Sequence, residues 1–138
     1  MSLGFDRAIA QAMEDAGLGT YGTGPSDNIR VGESQPTPKE ALEFTVVLEG
    51  GAPPVNVVGE NLGFTVQTRH PSYETAVEQA YLVHRLFQEY QGNPRGVPIA
   101  RIISNFPPTP VGRDTEAVGG RWRVTETFSA LTRVVPFT

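Results

Sequence analysis

The chain has 138 residues, 38% of them hydrophobic and 19% charged, which at about 150 residues per domain leaves room for one core and not two. It holds no cysteine, so a disulfide framework, a thiolate zinc site, an iron–sulfur cluster and a cysteine nucleophile are excluded together. The net charge is −4, with nine acids against four bases in residues 1–70 and six against seven in residues 71–138. The small basic excess of the second half is too weak for an electrostatic footprint on nucleic acid.

Phe5, Ile9, Ala12, Met13 and Ala16 recur at helical spacing and predict an N-terminal helix over 3–16, ended by Gly17 and Gly19. Residues 18–40 form a Gly/Pro-rich arm with Pro25, Pro36 and Pro38, interrupted only by the extended fragment Ile29-Arg30-Val31. Connections of that length usually serve binding. Leu42, Phe44, Val46 and Leu48 then alternate with Ala41, Glu43, Thr45 and Val47, and Leu62, Phe64 and Val66 alternate with Gly63, Thr65 and Gln67. Both are strands with one buried face, and they can pair across the apolar loop 49–61 that contains Pro53 and Pro54.

Ser72 is placed to cap a helix running to about Tyr90, with Tyr73, Ala76, Val77, Ala80, Tyr81, Val83, His84 and Phe87 on one broad face. Glu74, Glu78, Arg85 and Glu89 are left for solvent. Ile99 to Ser104 reads as a strand, and Phe106-Pro107-Pro108-Thr109-Pro110 as a rigid corner. A hairpin follows from Gly112-Arg113-Asp114 through Gly119-Gly120. Its long second strand carries Trp122, Val124, Phe128 and Ala130 on one face, and Arg121, Arg123, Thr125, Thr127 and Ser129 on the other. The expected fold is a single α+β domain over 1–138: a mostly antiparallel sheet, one long amphipathic helix packed on it, and an additional N-terminal helix. No apolar run nears the roughly 18 residues that span a bilayer, and the start lacks an export signal pattern, so a protein that is neither membrane-bound nor exported is expected.

Chemistry-bearing motifs are scarce. The two histidines, His70 and His84, form no metal-ligand pair, and their expected roles are a loop contact and a packing or helix–sheet hydrogen-bonding role. Gly17-Leu18-Gly19-Thr20-Tyr21-Gly22 has GxGxxG spacing but follows a helix, where a dinucleotide site needs a strand. No phosphate-binding GxxxxGK[ST] loop and no GxSxG elbow occurs. The carboxylate pairs Glu40/Glu43, Glu74/Glu78 and Asp114/Glu116 read as solvated surface. What remains is interaction chemistry: the arm, the Ala52-Pro53-Pro54 loop, the proline corner and the apolar tail Val134-Val135-Pro136-Phe137-Thr138.

Taken in order, Pro25-Ser26-Asp27-Asn28, Gly50-Gly51-Ala52-Pro53-Pro54, Leu62 to Arg69, the cap Ser72-Tyr73-Glu74 with its helix, Pro107 to Asp114, and Gly120-Arg121-Trp122 resemble the tail terminator and minor capsid proteins of long-tailed bacteriophages. The resemblance covers about residues 25–133. The loop Thr115 to Gly119 is longer than the family's usual tight turn, which leaves the hairpin register open.

The resemblance implies a non-enzymatic virion protein of the neck, without a cofactor, assembled in the host cytoplasm. Such proteins form a ring, commonly a hexamer, at the head-proximal end of the tail tube. The ring stops polymerisation of the major tail tube protein and docks head-completion proteins, while the genome DNA passes through its lumen without specific binding. A closed ring needs two different patches per subunit. One is expected on the Arg-bearing face of strand 121–133, with Arg113, Arg121, Arg123 and Arg133. The other is expected on the 49–61 loop with Pro53 and Pro54, or on the arm; Phe106, Pro107 and Phe137 are further contact candidates. The alternatives are a head-closure or tail-completion connector, a small ligand-binding or hydrolytic domain using Glu78 or Asp114 as general base, and a nucleic-acid module using Arg101, Arg113, Arg121, Arg123 and Arg133.

Overall fold

Helix α1 spans Phe5–Asp15 and buries Phe5, Ala8, Ile9, Ala10, Ala12 and Met13, a wider stripe than the spacing alone predicts. Its end is set by Gly17, at φ +81°, which lets the Gly17 N–H reach the Glu14 carbonyl (2.9 Å) and the Leu18 N–H reach that of Met13 (3.1 Å). This crossed pair of bonds satisfies the last carbonyls and needs a left-handed residue at Gly17. The computed structural model describes residues 4–24, 26–32, 42–49, 59–114 and 120–133.

The strands are β1 (Ile29–Val31), β2 (Glu43–Leu48), β3 (Gly59–His70), β4 (Ile99–Ser104), β5 (Thr109–Arg113) and β6 (Trp122–Arg133), and the second helix, α2, is Tyr73–Phe87. They form one six-stranded sheet in the order β1-β2-β3-β6-β4, with β5 pairing β6 beyond the end of β4. Every pairing is antiparallel except β1 with β2. The chain thus has a mixed α+β fold with two helices on a mostly antiparallel sheet. The expected pairing of residues 42–48 with 62–69 is present, and β3 starts earlier than its alternation shows, because Gly59–Asn61 pair with Leu131–Arg133. The described part of the arm also joins the fold: β1 extends the sheet, and Leu18, Tyr21 and Val31 pack on the core. Residues 33–40 of the arm, the loop with Pro53 and Pro54, and the tail with Phe137 lie outside the described residues.

Both helices cover the same sheet face. Phe64 of β3 and Phe128 of β6 are register partners and stack at 5.0 Å. Phe87 of α2 meets both edge-on at 5.5 Å, and Phe5 of α1 meets Phe64 at 5.7 Å. One ring, Phe64, therefore ties both helices to the central strand pair, in the edge-to-face geometry that aromatic quadrupoles favour. Ser72 caps α2, its hydroxyl accepting from the Thr75 N–H.

Two features of α2 depart from the sequence pattern. It stops at Phe87 and not near Tyr90, because Glu89 turns to φ +63° and its N–H donates to the Ile102 carbonyl while the Tyr90 carbonyl accepts from Ile102. Hydrogen bonds to the edge of β4 replace the last helical turn. Its buried stripe is also narrower, with Ala76, Ala80, Val83 and Phe87 inside and Tyr73 and Tyr81 exposed.

Candidate functional site

The face of the sheet opposite the helices carries no helix among the described residues. At one end it holds a cluster of charges. Glu43 on β2 is fully buried, with Arg121 Nη2 3.4 Å, Arg30 Nε 3.8 Å and Arg69 Nη1 4.0 Å from its carboxylate. Arg69 also donates to Asp114 Oδ2 (2.9 Å), Thr45 Oγ1 (3.1 Å) and Gln67 Oε1 (2.7 Å), and Arg123 Nε lies 3.1 Å from Asp114 Oδ1. Strand register explains the gathering: Glu43 faces Arg69 across β2–β3, and Arg69 faces Arg123 across β3–β6. Arginine suits this place because its fork can serve several acceptors at once without losing its charge.

This corrects two expectations. Glu43 and Asp114 are not solvated carboxylates; both are held among guanidiniums inside the fold. Arg121 is likewise fully buried, so it is an internal ion-pair partner and not a surface contact. Arg123 keeps about a third of its side chain exposed. Arg113 lies across the sheet from them, its guanidinium 5.5 Å from the Trp122 ring centroid and donating to the Gly120 carbonyl, with Tyr73 edge-on to the same indole. Of Arg133, only the backbone in β6 is described.

At the opposite end the same face changes character. Ile103 of β4 is 38% exposed and Leu131 of β6 is 48% exposed, and with Asn61, Arg101 and Ser129 they line a shallow depression of about 280 Å³. Arg101 clamps Glu89 through two hydrogen bonds, Nε to Oε2 at 3.0 Å and Nη2 to Oε1 at 2.7 Å. Those bonds hold the Glu89 carboxyl below its ordinary value and push Arg101 up. Phe106, 68% exposed, and Pro107 project from the corner after β4.

A third polar group sits under α2, where the sequence points to His84 but not to its partner. Glu126 falls on the apolar phase of β6, is buried, and has Oε2 2.5 Å from His84 Nδ1 and 2.6 Å from Ser104 Oγ. The helix–sheet hydrogen bond expected of His84 is therefore present, and Glu126 is its partner. A carboxylate at an otherwise apolar position of β6 was the available signal. In a hydrolytic relay the imidazole stands between acid and hydroxyl; here the carboxylate stands between them, so His84 does not activate Ser104. Glu78 is exposed on α2, and neither it nor Asp114 lines the depression at Ile103 or a second one, of about 190 Å³, beside Gly92 and Ile99.

The GxGxxG spacing has a local explanation. Gly17 ends α1, and Gly22 leaves room for the Asp27 carboxylate, which accepts from the Gly24 N–H. Among the described residues no group of three or more His, Asp or Glu could hold a metal ion, and no helix is long and apolar enough to cross a membrane. Neither a protein-family model nor a curated protein matches the chain.

Proposed function

We propose that the chain is a virion structural protein, a tail terminator that forms a ring, in the family's manner a hexamer, at the head-proximal end of a long phage tail. The ring halts growth of the major tail tube protein and offers its outer surface to head-completion proteins, and the genome passes through its lumen without specific contacts. In this reading α2 is the long amphipathic helix of the family plan.

The observation that carries the reading is the helix-free sheet face, where Ile103 and Leu131 stand exposed as diagonal neighbours across the β4–β6 pair. Exposed apolar side chains grouped on one face of a sheet mark a surface that another protein covers. Phe106 and Pro107 extend that surface at the corner. Ion pairs within the chain engage Arg121 and Arg123, so the contact area in this reading lies toward Ile103 and Leu131.

The test is the solution mass by light scattering over a range of concentrations, alone and with tubes of the major tail tube protein, followed by negative-stain imaging. A discrete ring-sized species, or caps on tube ends, supports the terminator. Binding to the head portal alone favours a head-closure or tail-completion connector, and a monomer under every condition overturns the ring.

A further inference from the structure

Two apolar patches lie on opposite sides of the sheet. On the helix-free face, Ile103 and Leu131 flank Arg101, which is 58% exposed and spends only Nε and one terminal nitrogen on Glu89. On the outer side of α2, Tyr81 (40%) and Leu82 (37%) are exposed beside Glu78, which has no ion-pair partner among the described residues. Residues three and four apart share a helix face, so Glu78, Tyr81 and Leu82 form one patch.

We infer that these two patches meet: the outer face of α2 in one copy docks on the Ile103–Leu131 depression of the next. Leu82 and Tyr81 fill the depression, and Glu78 joins the free edge of the Arg101 guanidinium. The charges favour this occupant, a second copy of the chain, because the helix patch brings an unpaired carboxylate to a sheet patch with unused guanidinium donors. Two copies meeting sheet to sheet would instead oppose Arg101 to Arg101. Since the patches differ, the contact is head-to-tail and propagates until the rotation per step closes it. The inference rests on the ring reading for that closure, and it names the surfaces that reading leaves open.

The absence of natural cysteine makes the test clean, because every introduced thiol is unique. Leu82→Cys and Ile103→Cys are made singly and together, checked for folding by circular dichroism, and treated with a short bismaleimide at high protein concentration. The expected result is a ladder of covalent species beyond dimer for the double variant and monomer for each single one. Leu82→Asp and Ile103→Asp, on folded protein, should each abolish the assembled species seen by light scattering. Dimers from Ile103→Cys alone would show a sheet-to-sheet contact and overturn the inference. A double variant that stays monomeric on the gel overturns it too: if light scattering still shows a ring, only the choice of surfaces is wrong, and if it shows a monomer, the ring reading falls with it.

Discussion

Arg121 and Glu43 lie 78 residues apart in the chain and 3.4 Å apart in space, and both side chains are fully buried. Glu43 also lies 3.8 Å from Arg30, which is itself buried. Removing the charge of one member of a buried ion pair leaves its partner's charge less well compensated in a place that water does not reach. Glu43→Gln should therefore cost about 3–5 kcal/mol, read as a lower urea midpoint at unchanged slope. Asp114→Asn should cost less, since of its two partners Arg123 is partly in water and Arg69 keeps Thr45 and Gln67 as acceptors.

Phe64 contacts rings from both helices and from β6. Phe64→Ala removes the shared centre of that packing and should destabilise the fold by about 3–5 kcal/mol, a large part of a typical domain's stability. Thermal unfolding followed by circular dichroism measures the loss. Phe64→Leu should recover more than half of it.

Ser72→Ala deletes the hydroxyl that accepts from Thr75 at the start of α2. The expected loss is about 1 kcal/mol, measured by urea unfolding. Ser72→Asp should match or exceed the parent, because a carboxylate caps as well and favours the helix N-terminus.

Burial raises the Tyr90 hydroxyl above the ordinary tyrosine value, with a further push from the Asp15 carboxylate. The folded state therefore keeps its proton to higher pH than the unfolded chain does. The stability tied to Tyr90 is complete below the unfolded value of about 10 and is lost as pH rises from there through the folded value. Unfolding midpoints measured across that alkaline range should fall, and Tyr90→Phe should flatten the slope. An unchanged slope in Tyr90→Phe would show that other groups set the alkaline limit.

The elements with a clear period were legible in the sequence: the alternation in β2, β3 and β6 assigns Phe44, Val46, Phe64, Val66 and Phe128 to the face that packs in the core, and Ser72 marks the start of α2. Glu43 also alternated correctly, yet its burial was not legible, because that depends on which arginines the sheet register brings opposite it. The same holds for Glu126, whose partner His84 comes from a helix packed across the sheet. The end of α2 was hidden for a related reason, since backbone bonds to β4 end it where the side-chain pattern would have carried it further. Local spacing fixes the phase of an element, whereas burial of a charge is decided by partners far away in the chain.

The position of β6 bears on how the chain reaches this structure. It is the last of the described strands in sequence, yet it lies between β3 and β4 and also pairs β5. Until β6 inserts, β3 and β4 each present an unpaired edge, and the Phe64–Phe128 stack cannot form. Closing the sheet thus needs long-range pairing, the kind that slows folding and leaves sticky edges open meanwhile. Crowding of unfinished chains during synthesis is then a hazard separate from any weakness of the finished fold, and low temperature or dilution during refolding should raise the yield without altering stability.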